Sequence, residues 1–318
     1  MITADTELAA RALFAGKIVV FPTETVYGIG ANVENHDSVK RIYKIKKRPK
    51  NRPFIIHIYD KNLIGFWSDS IPEYARLLID KFWPGPLTLI LNRNIKLPNH
   101  ILPGQMKLAI RNPNHPQALK LLEKFSALGG LGVVAPSANL FGRISSTTIE
   151  EAIFSVGSKL RNQDIFLIGN KCTVGIESTI IDCTNVAPTI LRPGYITKSE
   201  IEKVIKKTID EPELKIRSTI KFPGNSNSHY SPKAQVRVDS DFIIGSGYIA
   251  LARYKTPNGL VRLISPSDTR EFSKNLYSAF FKADEQKLNH IFVKLPLNRG
   301  IGTALVDRIL KAASKTHV

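Results

Sequence analysis

Segments with helical periodicity and segments with strand periodicity alternate along the first two hundred residues of the chain. Residues 6–16, for example, carry apolar side chains at helical spacing up to Gly16, and the apolar run 17–21 follows directly. Helical segments at residues 72–83 and 117–128 are likewise each followed by a short apolar run. This alternation predicts an α/β fold, in which helices pack on a central sheet.

The alternation stops between residues 210 and 235, a polar stretch that contains three prolines. Such a composition is typical of a linker or of an ordered loop. Strand-like and helical segments resume after it and continue towards the end of the chain. The sequence therefore predicts a large α/β domain over residues 1–209, a linker over residues 210–235 and a small α/β domain over residues 236–318.

Two cysteines occur in the chain, Cys172 and Cys183, and they are too far apart for a Cys-x-x-Cys pair. A structural zinc site and a disulfide framework are therefore not expected, and the composition fits a reducing compartment. Apolar runs stay well short of the roughly 20 residues of a membrane span, and the N-terminal residues lack the apolar core of a secretory signal. We expect a cytoplasmic protein that is not inserted in a membrane.

A formal net charge of +18 is the strongest global signal in the composition. It predicts polyanionic partners such as nucleotide phosphates, pyrophosphate or nucleic acid. The charge is concentrated between Lys40 and Arg52, where eight of thirteen residues are basic and none is acidic. Prolines at positions 49 and 53 stiffen this segment, so its long cationic side chains are suited to clamping phosphates. The alternative is a solvated charged face without a ligand.

Polar side chains follow several of the apolar segments, at the point where each predicted strand ends. The stretch FPTETVYGIG, residues 21–30, places two threonines around a glutamate after one strand. Arg111 and Arg192 end two further strands, and residues 135–142, APSANLFG, follow another. Because α/β proteins bind ligands at the carboxyl ends of strands, these residues predict a binding site there. Structural ion pairs, helix caps and ordinary loop exits are the alternatives.

Seven segments occur in order between residues 21 and 194: FPTETVYGIG, KIKKRPKNRPFIIHI, PGPLTLIL, LAIRNPNHP, APSANLFGRISSTT, GIESTIID and LRPG. Together they closely resemble the YrdC-like domain of threonylcarbamoyl-AMP synthases. The later segment PGNSNSHYSP and the small unit after it resemble the two-domain form of that family, so the resemblance covers nearly the whole chain. It implies a YrdC-like twisted, open, mixed sheet with helices and a small Rossmann-like C-terminal α/β domain. It also implies that the linker is a lid over the active site.

The activity implied by the resemblance is that of a nucleotidyltransferase, which condenses L-threonine, bicarbonate and ATP into L-threonylcarbamoyl-AMP and releases pyrophosphate. The product supplies the N6-threonylcarbamoyl group of an adenosine in tRNA. Hand-over to a tRNA threonylcarbamoyl-transferase complex is therefore expected, together with a weak contact with tRNA or double-stranded RNA. Magnesium would be bound through the ATP phosphates and not by a protein metal site.

The resemblance also implies roles for individual residues. Lys46 and Arg48 would be catalytic, because they would offset negative charge on the reacting phosphate and on the pyrophosphate. The residues implied in L-threonine binding are Thr25, His57, Arg111, Ala135 and Ser178. The residues implied in ATP binding are Arg48, Arg52, Lys107, Ser137, Asn139, Ser145, Arg192 and Tyr230, the last of which lies in the linker.

This sequence departs from the family pattern at two of these positions. Arg52 stands where the family commonly has asparagine, and Lys107 stands where a small hydroxyl residue precedes the LAIR strand. The linker also lacks the basic residues that usually precede its His-Tyr pair. The departures leave the implied activity in place and bear on nucleotide affinity and on closure of the lid.

Two other functions account for part of the sequence. A non-catalytic protein that binds double-stranded RNA or tRNA would explain the charge, but not the neutral Ser, Thr and Asn side chains of the loops. A carbamoyl-transferring relative of the kind used in hydrogenase maturation carries cysteine-rich zinc segments, which two isolated cysteines cannot form. A nucleotide would not be held by a P-loop, because the chain contains no GxxxxGK[ST] signature.

Overall fold

Two β-sheets organise the chain in the computed structural model, which describes residues 1–49, 52–98, 104–209, 229–238 and 240–314. The strands are β1 (Ile2–Thr3), β2 (Val19–Phe21), β3 (Gly28–Asn32), β4 (Ile55–His57), β5 (Leu87–Asn92), β6 (Lys107–Arg111), β7 (Val133–Val134), β8 (Ile165–Leu167), β9 (Thr179–Asp182), β10 (Thr189–Arg192), β11 (Gln235–Arg237), β12 (Gly247–Ile249), β13 (Val261–Ile264) and β14 (His290–Val293). The helices are α1 (Thr6–Phe14), α2 (His36–Lys46), α3 (Ile64–Trp67), α4 (Glu73–Phe82), α5 (Pro116–Ala127), α6 (Ile149–Val156), α7 (Lys198–Ile205), α8 (Thr269–Glu285) and α9 (Ile301–Ala313), and short 3₁₀ turns lie at Lys61–Leu63 and Gly157–Lys159.

The first ten strands form one large sheet in the order β1-β8-β2-β3-β7-β4-β6-β5-β9-β10. Parallel pairs such as β4 with β6 and β5 with β9 occur in it beside antiparallel pairs such as β5 with β6. The last four strands form a separate sheet in the order β11-β14-β12-β13, in which each pair is parallel. The predicted α/β class, with a large mixed sheet and a small second sheet, is confirmed.

Helices cover both faces of the large sheet, because its strands are apolar on both sides. Val19 and Phe21 of β2 pack in an apolar cluster with Leu13 of α1. Val20, between them, points to the other face and joins the main core, which includes Ile42 of α2. Successive residues of a strand face opposite sides of a sheet, so a continuous apolar run is what a doubly covered sheet requires.

At the end of α2, a turn separates two basic residues, Lys46 and Arg48. The helix ends at Lys46, and Lys47 adopts a left-handed conformation with φ of 52°. The amide of Arg48 then donates to the carbonyl of Tyr43 at 3.0 Å, which closes the helix end. Lys46 is thereby directed into the protein, and the chain leaves the helix at Arg48 towards β4.

The small sheet carries its own helices and packs directly against the large unit. Phe272 and Leu276 of α8 belong to the apolar core of the small unit, which also takes in Val26 and Val174 from the large unit. The hydroxyl of Ser273 in α8 donates to the carbonyl of Val174 at 3.0 Å. The two units therefore share apolar contacts as well as polar ones.

Gly175 tests how closely the two units are fitted. An added Cβ would lie 2.5 Å from the Cα of Lys274 and 2.5 Å from the carbonyl oxygen of Ser273, both of them backbone atoms of α8. Its φ of 77° also disfavours a side chain. We expect Gly175→Ala to lower the free energy of unfolding by about 2 kcal/mol beyond the roughly 1 kcal/mol of backbone strain. Urea-induced unfolding measures this.

Gly142→Ala is the matched control for this substitution. Gly142 has a similar φ of 81°, but no described heavy atom lies within 4 Å of the Cβ that would be added. This variant should therefore show the backbone strain alone. Equal losses of stability in the two variants would mean that α8 shifts away from Gly175 without cost, and that the contact between the units is not tightly packed.

Candidate active site

A pocket lies where several strands of the large sheet end, and its cavity volume is about 60 Å³. His57 ends β4 and Arg111 ends β6, and the two residues pair in register across these parallel strands. Arg192 ends β10, and Ala135 directly follows β7. The described residues that line the pocket are Thr23, Thr25, Val26, Gly28, Lys46, Arg48, Ile55, His57, Arg111, Ala135, Pro136, Ser137, Asn139, Phe141, Glu177, Ser178, Arg192, His229 and Tyr230.

The loop between β2 and β3 forms one wall of the pocket through a chain of hydrogen bonds. Nη1 of Arg111 donates to the hydroxyl of Thr25 at 2.9 Å. The two hydroxyls of Thr25 and Thr23 lie 2.9 Å apart, and the hydroxyl of Thr23 donates to the carbonyl of Val26 at 2.6 Å. The chain runs in one direction, from the guanidinium to the loop backbone. The closely spaced threonines of FPTETVYGIG therefore orient one another and Arg111.

Arg111 is held from behind by a carboxylate. Its Nη2 lies 2.7 Å from Oε1 of Glu24, and both side chains are buried. Its Nε donates to the carbonyl of Gly85 at 3.2 Å. A guanidinium fixed on several sides can present its remaining edge to a carboxylate ligand without losing further side-chain freedom.

Lys46 reaches the pocket from the end of α2. Its Nζ donates to the carbonyls of Ser137 and Asn139, at 2.5 Å in each case. The side-chain amide of Asn139 in turn donates to the carbonyls of Leu140 and Arg143, at 2.8 and 2.7 Å, which fixes the loop after β7. Burial, followed by the charge of Arg48, lowers the pKa of Lys46 well below its usual value.

Arg48 lies beside Lys46 and is held by backbone carbonyls and an aromatic ring. It donates to the carbonyls of Arg52 and Pro53, at 3.1 and 3.0 Å. Its guanidinium carbon lies 5.2 Å from the ring centroid of Phe54. Burial, the largest effect, lowers the pKa of Arg48 to about 10, so the side chain is a cation at neutral pH.

Arg192 approaches the pocket from the opposite edge of the sheet. Its Nε and Nη2 donate to the carbonyl of Ser178, at 3.1 and 2.9 Å, and Nη2 also reaches the hydroxyl of Ser178 at 3.1 Å. That hydroxyl lies 2.7 Å from the hydroxyl of Thr88 on β5. Arg192 and Ser178 thus form one hydrogen-bonded unit on the wall of the pocket.

Among the described residues that line the pocket, Glu177 alone carries a carboxylate. Oε1 accepts from the hydroxyl of Ser145 at 2.7 Å. Oε2 accepts from the hydroxyl of Tyr277 on α8 at 2.8 Å and from Nε of Arg308 on α9 at 2.9 Å. Burial raises the pKa of Glu177, but Arg308, Arg192 and the bond from Ser145 together outweigh burial and hold it at about 2.

His229 and Tyr230 cover the pocket from the described end of the linker. Tyr230 is fully buried, has φ of 62°, and stacks on Tyr277 with ring centroids 5.7 Å apart. The guanidinium carbon of Arg308 lies 5.1 Å from the ring centroid of Tyr230. Its hydroxyl has no hydrogen-bond partner among the residues that the structure describes. A buried polar group of this kind is free to bind a ligand.

Three residues predicted for the site do not line the pocket, whereas the others do. Ser145 lies one step away and acts on the pocket through Glu177. The guanidinium carbon of Arg52 lies 5.7 Å from the ring centroid of Phe141, at the pocket rim. Lys107 is exposed, and its Nζ binds Thr184 at 2.6 Å. It begins β6, so about 13 Å of strand separates it from the strand end that reaches the pocket.

Sequence reasoning assigned no role to Glu177 or Arg308. Glu177 lies inside the segment GIESTIID, which was singled out for its serine. Arg308 lies on α9 among the buried residues Ala304, Leu305 and Ile309. A charged residue at a position where helical spacing requires an apolar one is the signal that identifies such a buried cation.

Metal and membrane sites were also sought in the described residues. There, no group of three His, Cys, Asp or Glu side chains is placed to hold a metal ion. In the same ranges, every helix is too short or too polar to cross a bilayer.

Comparisons with known proteins match both units of the chain. The family model Sua5_yciO_yrdC, described as telomere recombination, matches residues 11–194, and the model of the threonylcarbamoyl-AMP synthase C-terminal domain matches residues 196–314. The threonylcarbamoyl-AMP synthase of Pyrococcus abyssi is 35% identical over 96% of this chain and 93% of its own length. The threonylcarbamoyl-AMP synthase of Bacillus subtilis is 33% identical over 96% of this chain and 92% of its own length. The crystal structure of P. abyssi Sua5 complexed with L-threonine matches with a TM-score of 0.83 at 32% identity, over 97% of this chain and 94% of that one.

The buried state of His57 generates a prediction about pH. Burial, followed by the charge of Arg111, lowers the pKa of His57 to about 3. Its pKa in the unfolded chain is about 6.5, so the unfolded chain takes up the proton first as the pH falls. Stability is then lost by ~1.4 kcal/mol per pH unit below pH 6.5. Between pH 7 and pH 5, His57 should therefore cost the parent about 2 kcal/mol of its free energy of unfolding. His57→Asn removes this group, so the decline of the variant should be smaller by that amount.

Urea unfolding at both pH values measures this difference. His36→Gln, at the start of α2 and outside the pocket, is the control and should retain the decline of the parent. An unchanged decline in His57→Asn would show that His57 accepts a proton in the folded protein.

Proposed function

The chain belongs to the Sua5/YrdC family of threonylcarbamoyl-AMP synthases, and we propose on that premise that its pocket forms L-threonylcarbamoyl-AMP. The reaction consumes L-threonine, bicarbonate and ATP and releases pyrophosphate. The observation that carries the proposal is the convergence of four buried cations, Lys46, Arg48, Arg111 and Arg192, with hydroxyl-bearing loops at one set of strand ends. A pocket with this lining favours a ligand that carries several negative charges.

L-Threonine is proposed to bind on the side of Arg111. The guanidinium, already oriented by Glu24 and Thr25, would bind the carboxylate of the amino acid. His57 stays neutral beside it, because burial keeps its pKa at about 3. The neighbouring cation also favours the neutral, nucleophilic form of the threonine amine. The residues proposed for threonine are Thr25, His57, Arg111, Ala135 and Ser178.

ATP is proposed to bind on the side of Lys46 and Arg48. After burial, the charge of Arg48 lowers the pKa of Lys46, and the charge of Arg192 contributes to the lowered pKa of Arg48, so these cations are close together, as a triphosphate site requires. Arg52 at the rim would reach an outer phosphate, whereas Lys107 is left out because it lies away from the pocket. The residues proposed for ATP are Lys46, Arg48, Arg52, Ser137, Asn139, Ser145, Arg192 and Tyr230.

The chemistry requires positioning and charge neutralisation, and no covalent intermediate with the protein. The threonine amine attacks carbon dioxide and loses a proton, or attacks bicarbonate with release of water, and either route gives a carbamate. A carbamate oxygen then attacks the α-phosphorus of ATP, and the bond from that phosphorus to the bridging oxygen breaks, so pyrophosphate leaves with the electron pair. Lys46 and Arg48 would stabilise the charge that develops on both phosphate groups.

Magnesium is proposed to enter as a companion of ATP. The single carboxylate of the described lining, Glu177, is already bonded to Ser145, Tyr277 and Arg308, so it is not available as a metal ligand. The donor set of the pocket therefore does not form a protein cage for the ion. Oxygen atoms of the triphosphate would hold it, and it would neutralise part of their charge.

A catalytic pocket explains the cations better than a nucleic-acid surface does. The exposed fractions of Lys46, Arg48, Arg111 and Arg192 are 2, 7, 4 and 3%. The phosphate backbone of a duplex is contacted by side chains on an accessible face. These four side chains lie inside a pocket, which a mononucleotide can enter and a duplex cannot.

Nucleotide entry is proposed to move the described end of the linker. The cavity of about 60 Å³ is small for this ligand class, since small-molecule pockets span roughly 300–1,000 Å³. His229 and Tyr230 lie across it and belong to the predicted lid at residues 210–235. Residues 210–228 of that lid lie outside the described residues, so the proposal rests on His229 and Tyr230 alone.

The cellular setting of the reaction is also a proposal. The product would be handed to a tRNA threonylcarbamoyl-transferase complex, with at most a weak direct contact with tRNA, which favours a cytoplasmic location. Domain limits of 1–209 and 236–318 are proposed for the catalytic and the small unit.

The decisive experiment measures pyrophosphate released by the full chain from ATP and bicarbonate, with and without L-threonine. We expect release to depend on both threonine and bicarbonate, because the proposal assigns each a place in the reaction. L-Serine, which lacks the methyl group of threonine, is the matched control and should support slower release. Equal release in the absence of threonine would contradict the proposed function.

Arg48 and Lys107 form a matched pair of basic side chains. Arg48→Ala should lower turnover by more than tenfold, which corresponds to a loss of about 1.4 kcal/mol of transition-state stabilisation. Lys107→Ala should stay within about twofold of the parent, since Lys107 lies outside the pocket lining and its Nζ binds Thr184. Steady-state pyrophosphate release measures both. Similar turnover in the two variants would mean that the basic residues between Lys40 and Arg52 contribute surface charge and take no part in the reaction.

A further inference from the structure

Arg308 is a cation of the small unit that ends at the pocket of the large unit. Its side chain is fully buried on α9, and its Nε donates to Oε2 of Glu177 at 2.9 Å. Its Nη2 donates to the carbonyl of Pro193 at 3.0 Å, next to Arg192. The guanidinium also lies over the ring of Tyr230. One side chain of the small unit therefore contacts three parts of the pocket wall.

The contact between Arg308 and Glu177 affects the charge of the pocket, because Glu177 lies in the pocket wall. Its carboxylate lines a pocket whose other charged groups are cations, and it is close enough to oppose the effect of burial on Lys46 and Arg192. A negative charge at this position repels phosphates and attracts the side chains that should bind them. Arg308 supplies the positive charge that compensates it.

Resting on the proposed function, we infer that Arg308 is a positioning residue of the nucleotide site. By pairing with Glu177, it prevents that carboxylate from pairing with Lys46 or Arg192, and it keeps the pocket positive towards ATP. The threonine side of the pocket has its own carboxylate, Glu24, which pairs with Arg111. Loss of Arg308 should therefore weaken ATP binding far more than threonine binding.

Stability alone does not explain the ion pair. Replacing a buried ion pair by apolar side chains is often neutral or stabilising, whereas removing one partner leaves an uncompensated charge. Arg308 lies among apolar residues of α9, where an apolar side chain would pack without this cost. The pair is explained if Glu177 must remain ionised and oriented by Ser145 and Tyr277, and if its charge must be kept from the phosphates.

The test compares Arg308→Met with Glu177→Gln and with the double variant Glu177→Gln/Arg308→Met. The KM for ATP and the KM for L-threonine are measured at pH 8, well above the pKa of about 2 that Glu177 has beside Arg308, together with kcat and thermal unfolding. Arg308→Met should raise the KM for ATP by about tenfold or more and change the KM for L-threonine by less than about twofold. The double variant should return to within about threefold of the parent, because no buried charge is left unpaired.

Arg262→Met is the matched control, because it removes the same charge from the small unit. Arg262 donates to the backbone carbonyls of Ala250 and Leu251, at 2.7 and 2.9 Å, and lies outside the pocket lining. It should leave the KM for ATP unchanged even where it lowers the melting temperature. A purely structural role of Arg308 predicts instead that both Met variants act alike.

The outcome is decided even if Arg308→Met fails to fold. In the Glu177→Gln background, removal of Arg308 should then change the KM for ATP by less than about twofold, since there is no charge left to compensate. A tenfold change in that background, or a double variant no better than Arg308→Met, would overturn the inference. The binding of a non-hydrolysable ATP analogue, measured by calorimetry, gives the same comparison without turnover. If the parent releases no threonine-dependent pyrophosphate, the proposed function is refuted, but this binding test can still be carried out.

Discussion

The burial of several cations around one small cavity is the constraint on which the rest of the structure depends. Each buried charge loses its hydration, and like charges repel at short range. Backbone carbonyls compensate part of this charge: those of the loop after β7 accept from Lys46, and those of Arg52 and Pro53, just before β4, accept from Arg48. Of the two carboxylates beside these cations, Glu24 pairs with Arg111 and Glu177 pairs with Arg308. Loop carbonyls next to the strands therefore bind the protein's own cations before any substrate does.

The two carboxylates differ in the origin of their partners. Glu24 and Arg111 both belong to the large unit, and they form a pair without help from the small one. Glu177 belongs to the large unit, but its partners Tyr277 and Arg308 come from α8 and α9. The small unit thus completes the electrostatics of the pocket, and it contributes to the site although none of its residues lines the described cavity.

Local patterns in the sequence were enough to predict the class of fold and the side of the sheet on which the pocket lies. Apolar runs followed by polar loops mark where strands end, so Thr25, Arg111 and Arg192 could be assigned to one edge of a sheet before the structure was known. Two features could not be found in this way. The partner of Glu177 lies 131 residues further along the chain, and its choice depends on how the two units pack. The distance of Lys107 from the pocket depends on where β6 begins, which residue spacing alone does not specify.

Tyr230 shows how the closed pocket can be reconciled with a large substrate. Its left-handed backbone costs about 1–2 kcal/mol for a residue with a side chain, and that cost is offset by the stacking on Tyr277 and by the cation of Arg308 over its ring. A phosphate-bearing ligand would compete for the cations around Tyr230, and movement of the tyrosine would release the backbone strain. Arg308 links the two groups in the described structure, because its guanidinium lies over the ring of Tyr230 and also pairs with Glu177.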